Sequence, residues 1–111
     1  MNFHKKKNTT GILMQTTTYT CGPAALATAM QNMGINTSEM EIAELAGTDE
    51  NGTLMYGLQH AAQVKGLNTI GMKLSLDDLK TNNVVYLNID GTFHYSVVRE
   101  VSKGDVSLED P

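Results

Sequence analysis

Cysteine, proline and aromatic residues are scarce in this sequence of 111 residues, which contains one cysteine, two prolines and no tryptophan. A single cysteine excludes a disulfide within the chain and is typical of a reducing compartment or of an active-site thiol. No apolar run approaches the roughly 20 residues that a helix needs to cross a bilayer, and none is long enough for a signal-peptide core. We therefore expect no membrane span in this chain.

Basic residues are also few. The net charge is −4 and the only basic cluster is Lys5–Lys7, so the sequence does not predict a nucleic-acid-binding surface. We interpret residues 1–11 as a flexible basic tail. The hydrophobic content of 41% is typical of globular proteins, and residues 12–111 are long enough for one domain.

Metal and cofactor motifs are missing as well. One cysteine and three histidines at these spacings match no zinc pattern, and no glycine-rich phosphate loop is present. We interpret His4 and His60 as surface or structural residues. The sequence predicts neither a metal nor a cofactor.

The first half of the chain has the apolar period of helices. Glycines or capping residues mark the ends of three predicted helices, which run from Cys21 to Met33, from a capping box at Ser38 to Gly47, and from a cap at Thr53 to Gly66. A short helical turn is predicted at 75–78.

The second half changes to the pattern of strands, predicted at 68–72, 84–89, 94–101 and 105–110. The nearly continuous apolar run 84–89 is typical of a central strand buried on both faces. Helices followed by an antiparallel sheet describe an α+β fold.

The last hairpin allows an inference about side-chain placement. A three-residue loop at 102–104, with glycine last, pairs Val101 with Asp105 and, counting outward, Ser96 with Asp110. His94 shares a face with Ser96 because strand side chains alternate. The pattern therefore predicts that Asp110 is the diagonal neighbour of His94, within side-chain reach.

Cys21 and Gln15 could supply a nucleophile and an oxyanion donor. A cysteine at a helix amino terminus has a lowered pKa, and Pro23 suits the first helical turn. The side-chain amide of Gln15 can donate to an oxyanion together with the Cys21 backbone amide. The alternatives are a buried small hydrophobe at Cys21 and an ordinary loop glutamine at Gln15.

His94 and Asp110 could supply the base and its orienting acid. A histidine can move a proton between nucleophile and leaving amine, and a carboxylate can hold its tautomer. The alternatives are a half-buried strand histidine and a terminal surface acid. Asp90, in the turn before His94, is a weaker candidate for the orienting acid.

Three further residues are candidates for substrate binding. Gly22 would keep the backbone open for a substrate carbonyl. Tyr19 and Tyr95 flank the predicted site in sequence and would line a substrate groove, with core packing as the equal alternative.

Taken together, Gln15-x5-Cys21-Gly-Pro-Ala-Ala25, His94-Tyr-Ser-Val-Val98 and Asp110-Pro111 resemble the peptidase C39 family of papain-like cysteine peptidases. The resemblance covers residues 12 to 111. It implies helices packed on an antiparallel sheet, a Cys21–His94–Asp110 triad and Gln15 as oxyanion donor. Members of this family usually continue with more sheet, so the resemblance also implies a longer parent protein.

The resemblance implies cleavage of a leader peptide after Gly-Gly, at the cytoplasmic face of the membrane and in association with an ABC transporter. We expect a monomer whose partner is a peptide or protein substrate. Two alternatives stay open, a catalytically silent peptide-binding module and a related cysteine amidase, isopeptidase or transferase.

Overall fold

A computed structural model describes residues 2–6, 20–73, 75–89, 91–102 and 105–109 of the chain. Its helices and strands follow one another as β1 (Asn2–Lys6), α1 (Cys21–Asn32), α2 (Glu39–Ala46), α3 (Met55–Val64), a 3-10 turn (Leu76–Asp78), β2 (Val84–Ile89), β3 (Thr92–Ser102) and β4 (Asp105–Glu109). The three helices pack on the sheet, which confirms the α+β class. None of these helices has the length and apolarity that crossing a membrane requires.

Local signals fix both ends of α2. The Ser38 hydroxyl accepts the Glu41 backbone N–H at 3.2 Å, and Gly47 ends the helix at φ 71° in the left-handed region. The Glu41 carboxylate does not complete the predicted capping box. It instead accepts from the Thr37 hydroxyl at 2.7 Å and from the Lys65 ammonium at 3.0 Å, which joins α2 to the end of α3.

The predicted cap of α3 is wrong. Leu54 occupies the N-cap position without a side-chain hydrogen bond, and the Thr53 hydroxyl lies 2.6 Å from that of Thr48. A hydroxyl that closes the 48–54 loop is no longer available to the helix. Thr53 is thus a loop residue.

Gly57 permits the close approach of α2 and α3. A Cβ atom added at Gly57 would lie 2.3 Å from the Ala46 carbonyl oxygen, a backbone atom at the end of α2. Only glycine therefore fits this position without separating the two helices.

The sheet has the order β1-β4-β3-β2, with β3 in the middle of the antiparallel part. The prediction that 84–89 forms a central strand buried on both faces is wrong, because among the described strands β2 pairs only with β3 and Tyr86 is 51% exposed. An apolar run indicates which faces of a strand are buried, but it does not indicate which strands pair with it. Tyrosine also reads as apolar while tolerating water at its hydroxyl end.

The hairpin of β3 and β4 differs from the prediction in its turn. Ser102 pairs with Asp105 and Val101 with Val106, so the loop has two residues and not three. A β-bulge between Val98 and Glu100 then shifts the register by one residue. Beyond the bulge Val97 pairs with Glu109, the register that the sequence predicted for this end of the hairpin.

Two segments depart from their predicted states. Asn2–Lys6, assigned to a flexible tail, form β1, which pairs in parallel with β4. The strand predicted at 68–72 is absent, and this segment is irregular with Ile70 81% exposed. It packs on α3 through Gly71, whose added Cβ would lie 3.0 Å from Gln59 Nε2.

The core lies in two layers. Between the helices and the sheet, Met30, Ile42 and Val97 are fully buried together with the alanines of α1 and α3. A smaller cluster contains Val98, Val106 and Leu108. The two layers hold β3 from both faces, which makes it the best-supported strand on which to place a functional side chain.

Candidate active site

Cys21 is the first residue of α1, as the sequence predicted. The helix begins after Thr20 without a side-chain cap, and Ala24 N–H donates to Thr20 O at 3.0 Å. Pro23 occupies the first turn, where the missing N–H costs no helical hydrogen bond. The thiol is half-buried, at the positive end of the helix dipole.

His94 of β3 forms a hydrogen bond with the Cys21 thiol. Burial alone would raise the pKa of the Cys21 thiol. The His94 hydrogen bond, the Tyr95 backbone N–H, the charge of His94 and the Gly22 backbone N–H all act in the opposite direction, and the resulting pKa lies below the ordinary value. These interactions favour the thiolate, which is the nucleophilic form of cysteine.

The strand β3 positions His94 through its pairing with β2. Leu87 lies opposite His94 and Val85 lies opposite Ser96. His94 is partly buried and Ser96 is fully buried. The alternation of strand side chains sets His94 and Ser96 on one face, as predicted.

Tyr95 and Gly22 meet directly beside the Cys21–His94 pair. A Cβ atom at Gly22 would lie 3.1 Å from Tyr95 Cδ2 and 3.4 Å from Leu58 Cδ1. The Tyr95 hydroxyl donates to the Thr53 carbonyl oxygen at 3.0 Å, and its ring centroid lies 4.6 Å from that of Tyr86. Tyr95 is thus a core residue, the alternative that the sequence left open. The space over Gly22 holds the Tyr95 ring and Leu58.

Comparison with known proteins identifies the family of this chain. Residues 9–111 match the sequence model of the Peptidase C39 family over nearly the whole chain. The chain belongs to the peptidase C39 family. It is similar to the peptidase domain of Streptococcus ComA, a bi-functional ABC transporter involved in a quorum sensing pathway, with a TM-score of 0.79 and 30% identity over 89% of this chain and 77% of that one.

Three curated relatives are similar in sequence. An uncharacterized protein of Methanothermobacter thermautotrophicus is 51% identical and one of Methanothermobacter marburgensis is 47% identical, each over 90% of this chain and 70% of the relative. The pediocin PA-1 transport/processing ATP-binding protein PedD of Pediococcus acidilactici is 30% identical over 82% of this chain and 13% of its own length.

The structure thus brings together two of the four predicted catalytic residues of this C39 domain, Cys21 and His94. Gln15 and Asp110 lie outside the described residues, as do Tyr19 and the weaker candidate Asp90. Their roles therefore stay predictions.

An apolar groove of about 500 Å³ runs between α1, α3, the 67–73 segment and β2. Neither Cys21 nor His94 lines it. Its walls include Met33, Ile70 and Met72, which are 47%, 81% and 66% exposed. In the described part of the chain, no group of three or more histidine, cysteine or acidic side chains could hold a metal ion.

Sequence reasoning missed the link between Tyr95 and Thr53. The two residues are far apart in the chain, and a backbone carbonyl carries no sequence signal. The one local hint is Gly22 in a helix, where glycine is unfavourable unless another group lies close to its backbone.

Proposed function

We propose that this chain is a cysteine peptidase with Cys21 as nucleophile and His94 as general base and acid. The observation that supports it best is the hydrogen bond between Cys21 and His94 at the amino terminus of α1. Burial opposes the thiolate here, yet the histidine and two backbone amides outweigh it and lower the pKa of the thiol. A structural cysteine needs no such arrangement.

The reaction follows from these positions. His94 takes the thiol proton, and the Cys21 thiolate attacks the carbonyl carbon of the peptide. The oxyanion of the tetrahedral intermediate would accept from the Gln15 side-chain amide and the Cys21 backbone amide. His94 then protonates the leaving amine as the C–N bond breaks, which leaves a thioester. Water, deprotonated by His94, hydrolyses the thioester and returns the proton to the pair.

Asp110 would orient His94. The register beyond the β-bulge pairs Val97 with Glu109. The sequence predicts Asp110 opposite Ser96 and diagonal to His94, where backbones lie about 7–8 Å apart and a carboxylate can reach an imidazole. Its carboxylate would then stabilise the imidazolium and select the tautomer.

The substrate class comes from the relatives. The names of PedD and ComA describe proteins that combine processing or peptidase activity with transport. We propose that this chain cleaves a leader peptide after Gly-Gly, acts as a monomer at the cytoplasmic face of the membrane and works together with a transporter. Tyr19, Gly22 and Tyr95 are the predicted substrate-binding residues, and the burial of Tyr95 favours contact through its backbone.

The test uses synthetic peptides that contain Gly-Gly or Ala-Ala at the same position. The wild type should cleave after Gly-Gly, and Cys21→Ala should show no acyl-enzyme and no product. Mass analysis of the products distinguishes hydrolysis from transfer to another amine. Turnover retained in Cys21→Ala would refute the assignment.

Gln15→Ala and Asp110→Asn test the two predicted catalytic residues that lie outside the described part of the chain. Loss of one oxyanion donor is expected to lower kcat by about 100-fold or more. Asp110→Asn should also lower kcat. His4→Ala serves as a control because His4 has no proposed role. A wild-type rate in Asp110→Asn would exclude the triad while leaving the Cys21–His94 pair intact.

A second candidate is a peptide-binding module, which the apolar groove favours. Exposed methionines and an isoleucine form an adaptable apolar surface of the kind that binds peptides. If the wild type binds the same peptides tightly but does not cleave them, and its Cys21 does not react with thiol reagents, this function would be favoured over the peptidase.

A further inference from the structure

The geometry points to Tyr95 as a positioning residue that sets the placement of Cys21 relative to His94 by packing its ring on Gly22 and anchoring its hydroxyl at Thr53. The inference rests on the proposed function, since the Cys21–His94 pair is the reacting pair of that proposal. Tyr95 would not touch the reacting atoms through its side chain. It would act through the backbones of two neighbours, His94 in the chain and Gly22 in space.

The first contact is with the nucleophile. Gly22 follows Cys21 in α1, and the Tyr95 ring lies so close that an added Cβ would meet Cδ2 at 3.1 Å and Cε2 at 3.3 Å. The Tyr95 backbone N–H also donates to the Cys21 thiol. One residue therefore contacts the first turn of α1 twice, once through its ring and once through its amide.

The second contact is with the base. Tyr95 follows His94 in β3, so any shift of the Tyr95 backbone moves His94 as well. The pairing of Tyr86 with Tyr95 in the ladder and the 4.6 Å separation of their rings hold this point of β3 to β2. The same residue thus fixes the strand that carries the imidazole.

The third contact anchors the ring from the far side. Tyr95 Oη donates to Thr53 O at 3.0 Å, in a loop closed by the Thr48–Thr53 hydroxyl contact and by a bridge between Asp49 and Gly52. Burial, followed by the neighbouring Tyr86 and Cys21, raises the pKa of Tyr95 to about 12, so the hydroxyl keeps its proton and donates throughout the neutral range.

The test measures alkylation of Cys21 by iodoacetamide as a function of pH. Because Cys21 is the only cysteine, the label reports on this site alone. Tyr95→Leu removes the ring and the hydroxyl, and we expect its alkylation below neutral pH to fall about tenfold, the change in thiolate fraction that a one-unit rise in thiol pKa produces. Tyr95→Phe keeps the ring on Gly22 but loses the anchor to Thr53, so its alkylation profile should lie between those of Tyr95→Leu and the wild type. Tyr56→Leu is the matched control, since Tyr56 is 72% exposed.

A double-mutant cycle tests the contact itself. Gly22→Ala alone should slow alkylation, because the new methyl group displaces the Tyr95 ring. In the Tyr95→Leu background the same substitution should add little, since the ring is gone. If Tyr95→Leu does not fold, Gly22→Ala alone still decides the question, and a wild-type profile in that variant would overturn the inference.

Two results separate this inference from the proposed function. A Tyr95→Leu variant that melts at a lower temperature but alkylates like the wild type would show a structural role only, even if the wild type cleaves peptides. A wild type that alkylates rapidly at low pH but cleaves no peptide would remove the peptidase function and leave the positioning role standing. In an active enzyme we expect the Tyr95→Leu defect in kcat and not in KM.

Discussion

The contact between α2 and α3 at Gly57 gives the sharpest stability prediction. In Gly57→Ala the new Cβ would lie 2.3 Å from the Ala46 carbonyl oxygen, whereas carbon and oxygen atoms in contact lie about 3.3–3.6 Å apart. The helices must therefore separate by about 1 Å. Both colliding atoms are fixed by backbone, so no side-chain rotation relieves the clash.

The magnitude follows from two opposing effects. Overpacking of a well-packed contact costs about 1–3 kcal/mol, and a backbone clash belongs at the upper end. Alanine in place of glycine in a helix returns about 1 kcal/mol. We expect Gly57→Ala to lower the free energy of unfolding by about 2 kcal/mol, which for a domain of this size is a fall in the melting temperature of about 8 °C.

Urea unfolding followed by circular dichroism measures this change. The matched control is Gln63→Ala, in the same helix and exposed, which tests helix propensity without the clash. A Gly57→Ala variant as stable as the wild type, or more stable, would refute the reasoning, because propensity alone would then account for the result.

Three further predictions concern the Cys21–His94 pair, the Ser38 cap of α2 and Tyr95. His94→Ala should raise the pKa of the Cys21 thiol and slow its alkylation at neutral pH, since burial then acts against fewer compensating groups; an unchanged profile would exclude the pair. Ser38→Ala should lower the free energy of unfolding by about 1 kcal/mol in urea titrations, because the Glu41 N–H loses its cap. The pKa of Tyr95 is raised on folding, so the unfolded tyrosine ionises first and stability falls as pH rises from about 10 to about 12. Tyr95→Phe should flatten that alkaline slope in pH-dependent unfolding, and an unaltered slope would assign it to other groups.

Elements with local signals could be predicted from the sequence. Ser38 and Gly47 define α2 because a cap and a left-handed glycine act within a few residues of themselves. Cys21 and His94 could be placed at the start of a helix and in a strand because both elements have local patterns in the sequence. Neither inference requires knowledge of distant contacts.

Elements decided by distant contacts could not be predicted in the same way. The apolar run 84–89 is the same whether β2 lies in the middle of the sheet or at its edge, since only its partners differ. The Thr53 hydroxyl had a plausible helix to cap, and the fold uses it to close a loop. The segment around Ile70 has strand-like residues but no strand to pair with in the described sheet.

The β-bulge between Val98 and Glu100 has a consequence for comparing this hairpin with those of relatives. A two-residue turn with one extra residue in the strand brings Val97 opposite Glu109 just as a three-residue turn with a regular strand would. A residue missing from the turn and an extra residue in the strand therefore cancel, and the pairing at the far end of the hairpin stays the same. During divergence, a residue gained at one point of the hairpin must be matched by one lost at another, because a single uncompensated change would turn the following side chains of β4 to the opposite face.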